Sequence, residues 1–334
     1  MNWFTDLTGC IEESPEQVRQ DLHVTGPWLN SRRNGKRWHF GNLRVPTLAE
    51  LRKEVEALTC PTSPISFSEH VGDVQSLHLQ ESNAHATFQV ASQFNLLEML
   101  SPNVLPEQGV GIYENDPTQG PACAIAAGAG TIYRNYFVTL NSQLGQTTEC
   151  QIDCVDELAK WFRNTDRKLW SMRNGYLFPT KQGLGIINSE LTKLDEKERN
   201  HVRGLLRIGI QENTQVTLGN STHCVTQVLC SAVPVAYSRF AVEDWEPLGR
   251  LILEATYEAT FCVAQLQAAS RGNPNLYLTL VGGGAFGNRI EWITEAIERS
   301  LGLFQTSGLH IKLVSFGRSR TEIAALVKKQ APFR

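Results

Sequence analysis

The chain has 334 residues, 41% of them hydrophobic, with 31 basic and 34 acidic side chains and a formal charge of −3. That is enough chain for one large α/β domain or two small ones, and a slightly acidic balance argues against nucleic acid as a partner. No apolar run is long enough to span a membrane, the start lacks the regions of a signal peptide, and the eight cysteines are scattered, Cys150 and Cys154 being the closest pair, so a reduced, cytoplasmic chain with no membrane partner, metal site or cofactor is expected.

Taken in order, residues 1–65 read as an N-terminal extension packed on a core domain of residues 66–334. Ser14-Pro15-Glu16-Gln17 supplies a helix N-cap followed by proline at the first helical position. Asn34-Gly35, between Arg32-Arg33 and Lys36-Arg37, predicts a hairpin turn with a basic, solvated rim. Thr47-Leu48-Ala49-Glu50 is a capping box that opens a helix to about Leu58, and Pro61 to Ser68 reads as a linker. Ala86 to Ala91 is a short apolar strand, with the polar amides Gln93 and Asn95 just beyond it. In open α/β sheets that position, outside the carboxyl end of a strand, is where ligands bind.

A long loop follows from about Ser101 to Gly120, through Glu107, Glu114, Asp116 and Gln119, before Pro121 opens a helix of small residues. A loop of that length inside a domain is more often functional than idle. Further on, Asp153 caps a helix, Arg173-Asn174-Gly175-Tyr176 marks a hairpin, and Asp195 to Ile210 has helical spacing. Gln215 to Leu218 reads as a short strand, His223 to Ser231 as a buried one, and Glu246 to about Ser270 as the longest helix. Strands alternating with helices predict an α/β sandwich around a mixed sheet.

The strongest local signal is Leu276 to Asn288, where an apolar strand runs into Gly282, Gly283, Gly284 and Gly287 and a helical pattern restarts near Ile290. Glycines at such a junction let an anion approach free backbone N–H groups, which predicts a phosphate site. Gly282, Gly284 and Gly287 also match G-x-G-x-x-G, the dinucleotide fingerprint. Its companion is an acidic residue about 20 positions on. Here the next strand, Ile311 to Phe316, runs into Gly317-Arg318 without a carboxylate, which disfavours a dehydrogenase.

With both loops in view, the chain resembles a macrodomain, the fold that binds ADP-ribose. It is most similar to the divergent arginine-specific macrodomain hydrolases, a class that includes a bacterial effector acting on ADP-ribosylated ubiquitin. Phe88 to Asn95, Asp116 to Ala124 and Val281 to Asn288 carry the resemblance. Gln93 and Asn95 stand where ordinary macrodomains have an Asn-Ala-Ala-Asn run, and Gln119-Gly120-Pro121 replaces a glycine triplet; both departures fit the divergent class.

The resemblance implies a macrodomain-like three-layer sandwich that binds ADP-ribose and removes mono-ADP-ribose from arginine residues of modified proteins, with ubiquitin as one candidate partner. Gln93 and Asn95, then Gln119 and Gly120, and finally Gly283, Gly284, Ala285, Phe286, Gly287 and Asn288 are the implied ADP-ribose contacts. The two glycine-bearing loops would hold the diphosphate from opposite sides, and Phe286 would pack on a ribose or the adenine. Cleaving an N-glycosidic bond calls for carboxylates that activate water or stabilise an oxocarbenium-like state. Asp116, beside the loop, is the first candidate, then Glu107, then Glu98; Glu114 has only its place in the loop to recommend it. A reader that binds ADP-ribose without cleaving it would need the loops and not the acids.

Overall fold

A computed structural model describes residues 2–59 and 62–330. Seven strands form the central sheet: β1 (Asn42–Arg44), β2 (Ser66–Val71), β3 (Thr87–Ala91), β4 (Gly209–Gln215), β5 (Cys224–Cys230), β6 (Asn275–Leu278) and β7 (His310–Ser315). Their spatial order is β1-β4-β5-β3-β6-β7-β2. From β5 to β2 every pairing is parallel, whereas β4 runs antiparallel to both of its neighbours. Parallel strands need long crossovers, and helices supply them on both faces.

The helices that cover the sheet are α1 (Leu48–Glu56), α2 (Gln119–Ala126), α3 (Gly128–Tyr136), α4 (Lys181–Lys193), α5 (Val242–Arg271), α6 (Ile290–Leu303) and α7 (Thr321–Gln330). One face carries α5, with α1, α4 and α6 packed on it and α7 against α6 and β2; the other carries α2 and α3. Strand β3 shows how the chain feeds both layers. Phe88 stacks on His78 at 3.9 Å on the α2 face, while Gln89 donates to Thr260 of α5 at 3.1 Å on the other. The architecture is therefore a three-layer α/β sandwich around a mixed sheet.

The N-terminal residues build a three-stranded antiparallel sheet from Leu22–Thr25, Trp28–Ser31 and Arg37–His39. The turn between its second and third strands is at Asn34-Gly35, where Gly35 has φ +68°. Phe4, Val18, Leu22, Leu29 and Trp38 form a second core together with Leu97, Met99, Val110, Tyr113 and Ile132. The small sheet thus shares its interior with the segment after β3. The chain then enters the sandwich, since β1 is an edge strand of the central sheet and α1 packs on α5.

Most local signals hold. Ser14 caps the amide of Gln17 at 3.2 Å, Thr47 and Glu50 close a capping box, and the longest helix is α5, 30 residues long. The helix expected to reach Ile210 stops at Arg203, and residues 209–215 are β4. Ladder bonds to both β5 and β1, with burial of Ile208 and Ile210, outweigh the helical spacing there. Pro61, the start of the expected linker, lies outside the described residues, and Ser66 already belongs to β2. Among the described residues no helix is long and apolar enough to cross a membrane.

The helical layer is tied by one carboxylate. Glu258 of α5, 6% exposed, accepts from Arg52 of α1 at 2.5 Å and from Arg299 of α6 at 2.6 Å. Burial opposes ionisation there, yet the two guanidiniums hold the carboxyl below the ordinary Glu range. Its stabilising contribution is present above the unfolded-state pKa and is lost as pH falls through the lowered folded-state value. Glu258→Gln leaves two partly buried guanidiniums without this counter-charge and is expected to cost about 1–3 kcal/mol at neutral pH. Denaturant midpoints measured from pH 7 downward check this, and the gap to the parent should close on acidification.

Candidate active site

A cleft opens at the carboxyl ends of β3, β5 and β6, floored by Ala91, Ser92, Cys230, Ala232 and Thr279. Its empty space is about 790 Å³, open solvent at the mouth included. Two buried polar atoms on its lining, Glu98 Oε1 and Thr279 Oγ1, have no hydrogen-bond partner among the described residues.

The glycine loop forms one wall. Strand β6 ends at Leu278, earlier than the expected Val281, and α6 starts at Ile290 behind Arg289 as its N-cap. The loop is closed on itself by Gly283 N–H to Leu280 O, Gly287 N–H to Gly284 O and Asn288 N–H to Gly282 O, at 2.9–3.0 Å. Gly282 and Gly287 sit at φ +78° and +73°, which is why they are glycines. The successive N–H groups of Gly284, Ala285 and Phe286 have no acceptor among the described residues. These three unpaired donors lie in the loop ahead of α6. Gly284 has open space where a side chain would project.

The opposite wall carries the acids. Glu98 is only 8% exposed and lines the cleft with Asp116. Its carboxyl lies directly over Gly120 in the first turn of α2, where a Cβ would come within 2.5 Å of it. Burial, and then the neighbouring Asp116 charge, push the Glu98 carboxyl well above the ordinary Glu range, against the opposing pull of Arg134. Asp116 is half-buried and accepts from the amide of Thr118 at 2.8 Å, which turns the chain into α2. The start of α2, expected to meet a diphosphate, thus faces Glu98.

Backbone hydrogen bonds hold Glu98 in place. Its own N–H donates to the Tyr113 hydroxyl at 2.9 Å. Gln93 lines the cleft and braces the next residue, accepting from Met99 N–H at 2.9 Å and donating to Met99 O at 3.3 Å. Tyr176 donates to Met99 O at 3.1 Å, and the fully buried Arg134 donates to Leu96 O at 3.2 Å. Tyr176, Tyr237 and Phe286 stand 5.2–5.7 Å apart, centroid to centroid, as an aromatic wall.

Sequence reasoning and structure differ at several positions. Gln93, Glu98, Asp116, Gln119, Gly120, Gly284, Ala285 and Phe286 line the cleft together. Glu107 does not: it caps a separate turn, accepting from the amide and hydroxyl of Thr148 at 2.7 and 3.0 Å. Glu114 accepts from the Trp3 amide at 3.1 Å. Asn95 is fully buried, bonded to Gln151 and to the amide of Leu97. Asn288 donates to Val233 O at 2.8 Å and shapes the loop from behind, and Gly283 and Gly287 serve its backbone path. Tyr176, Tyr237 and Arg134 were missed. The turn signal at Asn174-Gly175 located the first of them without indicating what it faces.

No protein-family model matches the chain, and no curated protein matches it. Among solved structures it is similar to the poly(ADP-ribose) glycohydrolase of Thermomonospora curvata, with a TM-score of 0.47 at 11% identity over 94% of this chain and 95% of that one. The same enzyme bound to the inhibitor ADP-HPD gives 0.45 at 12% identity, covering 94% and 95%. The poly(ADP-ribose) glycohydrolase of Deinococcus radiodurans in complex with ADP-ribose gives 0.46 at 12%, covering 86% and 93%.

A carboxyl with a raised folded-state pKa binds a proton more tightly in the native state. It therefore lowers stability as pH rises from the ordinary Glu value of 4.5 toward the raised one. Glu98→Gln removes that loss. The variant is expected to match the parent below pH 4.5 and to melt higher than it at neutral pH, read by thermal unfolding across that range.

Proposed function

We propose that this protein binds ADP-ribose in the cleft and hydrolyses the N-glycosidic bond that joins mono-ADP-ribose to arginine residues of modified proteins. The observation that carries the reading is a carboxyl pair, Glu98 and Asp116, set across one cleft from three unpaired backbone amides at Gly284, Ala285 and Phe286. The amides suit a diphosphate, and the aromatic wall of Tyr176, Tyr237 and Phe286 suits a ribose or base face. The macrodomain resemblance of the three sequence stretches points to the same ligand and to ubiquitin as a candidate substrate protein.

The two carboxyls have different tasks because their surroundings differ. Asp116, the more open one, takes a proton from the attacking water as its oxygen bonds to the ribose carbon. The carbon–nitrogen bond breaks, and its electron pair stays on the departing guanidine. Glu98, kept protonated by burial, donates its proton to that nitrogen, so the arginine leaves as a guanidinium. The proton held by Asp116 then restores Glu98 through solvent. Positive charge developing on the ribose lies beside the Asp116 carboxylate, which stabilises it.

ADP-ribose binding only the folded state must raise its melting temperature, by about 2.7 kcal/mol of added stability at 100 times its dissociation constant. Gly284→Leu should abolish the rise without unfolding the parent fold, because open space surrounds that position and its φ is not positive. A melting temperature of the parent that ADP-ribose leaves unmoved would refute the ligand assignment.

Asp116→Asn is expected to slow single-turnover release of ADP-ribose from an arginine-linked peptide by about 100- to 10,000-fold. Calorimetric affinity for free ADP-ribose should stay near the parent's, since the phosphate amides are untouched. Release by the parent from ribose–ribose linkages alone would exclude arginine as the acceptor. Binding without turnover on any linkage would make the protein a reader.

A further inference from the structure

The N-terminal segment reaches the acid pair through a single turn of chain. Glu12 accepts hydrogen bonds from the backbone amides of Val110 at 2.9 Å and Gly111 at 2.6 Å, and from the Tyr136 hydroxyl at 2.7 Å. Three donors converge on this one carboxyl, and their hydrogen bonds favour its charged form against the burial that raises its pKa. Glycine is required opposite it: a Cβ on Gly109 would lie 2.5 Å from the Glu12 carboxyl carbon, and one on Gly111 would lie 2.6 Å from its oxygen. Trp3 adds a bond from its ring N–H to Val110 O at 3.1 Å.

The gripped turn leads to both acids. It carries Tyr113, buried in the second core, whose hydroxyl receives the Glu98 amide at 2.9 Å. Asp116 follows three residues later, its amide bonded to Tyr113 O at 3.1 Å. A shift of residues 110–113 therefore moves Glu98 and Asp116 together. The glycine loop packs elsewhere, since Val281 and Ile293 belong to the sandwich core.

We propose that Glu12 is a positioning residue for the chemistry: by anchoring residues 110–113 it sets where Glu98 and Asp116 stand, and it makes the N-terminal segment part of the active site. The inference rests on the hydrolase reading of the cleft. A misplacement of about 1 Å can cost on the order of 100-fold in rate.

The test is Glu12→Gln. The amide keeps one acceptor oxygen but turns an NH2 group toward the other donors, so at least one anchored amide loses its partner. Turnover of an ADP-ribosyl-arginine peptide is expected to fall by about 10- to 100-fold, with KM and the affinity for ADP-ribose within about twofold of the parent. Glu12→Asp, which keeps the charge, should recover part of the loss. A folded Glu12→Gln variant with parental kcat overturns the proposal. If that variant does not fold, Tyr136→Phe removes one bond of the same clamp and is read in the same way. Amide hydrogen exchange separates this proposal from the hydrolase reading, because it needs no turnover. Glu12→Gln should speed exchange at Val110, Gly111 and also Glu98, which Glu12 does not touch. Unchanged protection at Glu98 would sink the positioning role even if the parent is an active hydrolase.

Discussion

The cleft depends on keeping the Glu98 carboxyl out of water. An isolated carboxylate at that depth is costly, so burial, with the Asp116 charge, pushes the Glu98 carboxyl well above the ordinary Glu range and favours the neutral acid. Arg134 stands behind it, itself fully buried, with burial lowering its pKa to about 10 against the pull of Tyr113 and Glu98. Its guanidinium bonds to Leu96 O, Gln211 and Thr131, none of them a carboxylate. The result is a positive charge near Glu98 without an ion pair that would lock it. Glycine at position 120 then admits the carboxyl against the first turn of α2. Together these features leave one carboxyl oxygen, Oε1, buried and without a hydrogen-bond partner among the described residues.

Two cores back the two walls of the cleft. The glycine loop is backed by the sandwich core through Val281, Ile293 and the packing of Phe286. The segment bearing the acids is backed by the smaller core, in which Leu97, Met99 and Tyr113 pack with Phe4, Leu22 and Trp38. The two walls are therefore backed by different cores and are joined at the cleft by Tyr176, which packs on Phe286 and bonds Met99 O.

The glycine loop was legible because its information is local. Positive φ at Gly282 and Gly287 restricts the residue type, and four glycines in six positions mark the place without any knowledge of the fold. The hairpins at Asn34-Gly35 and Asn174-Gly175 and the capping box at Thr47 were legible for the same reason. Asp116 gained its weight from adjoining Gln119-Gly120, a matter of sequence distance, and both do line the cleft.

Depth was not legible. Glu98, Glu107 and Glu114 look alike in a polar stretch, yet one is buried against Gly120, one caps the turn at Thr148 and one takes the Trp3 amide. Nothing near Arg134 in the chain shows that it lies behind a carboxyl 36 positions earlier, nor that Tyr176 and Tyr237 meet Phe286. The helical spacing runs on to Ile210, but Gly209 and Ile210 find ladder partners on β5, and Ile210 on β1 as well. Chain-local chemistry decides backbone angles, caps and turns, since those involve atoms a few bonds apart. Desolvation and the choice of partner are set by whichever distant segments pack over a side chain, and here those segments include the first dozen residues of the chain.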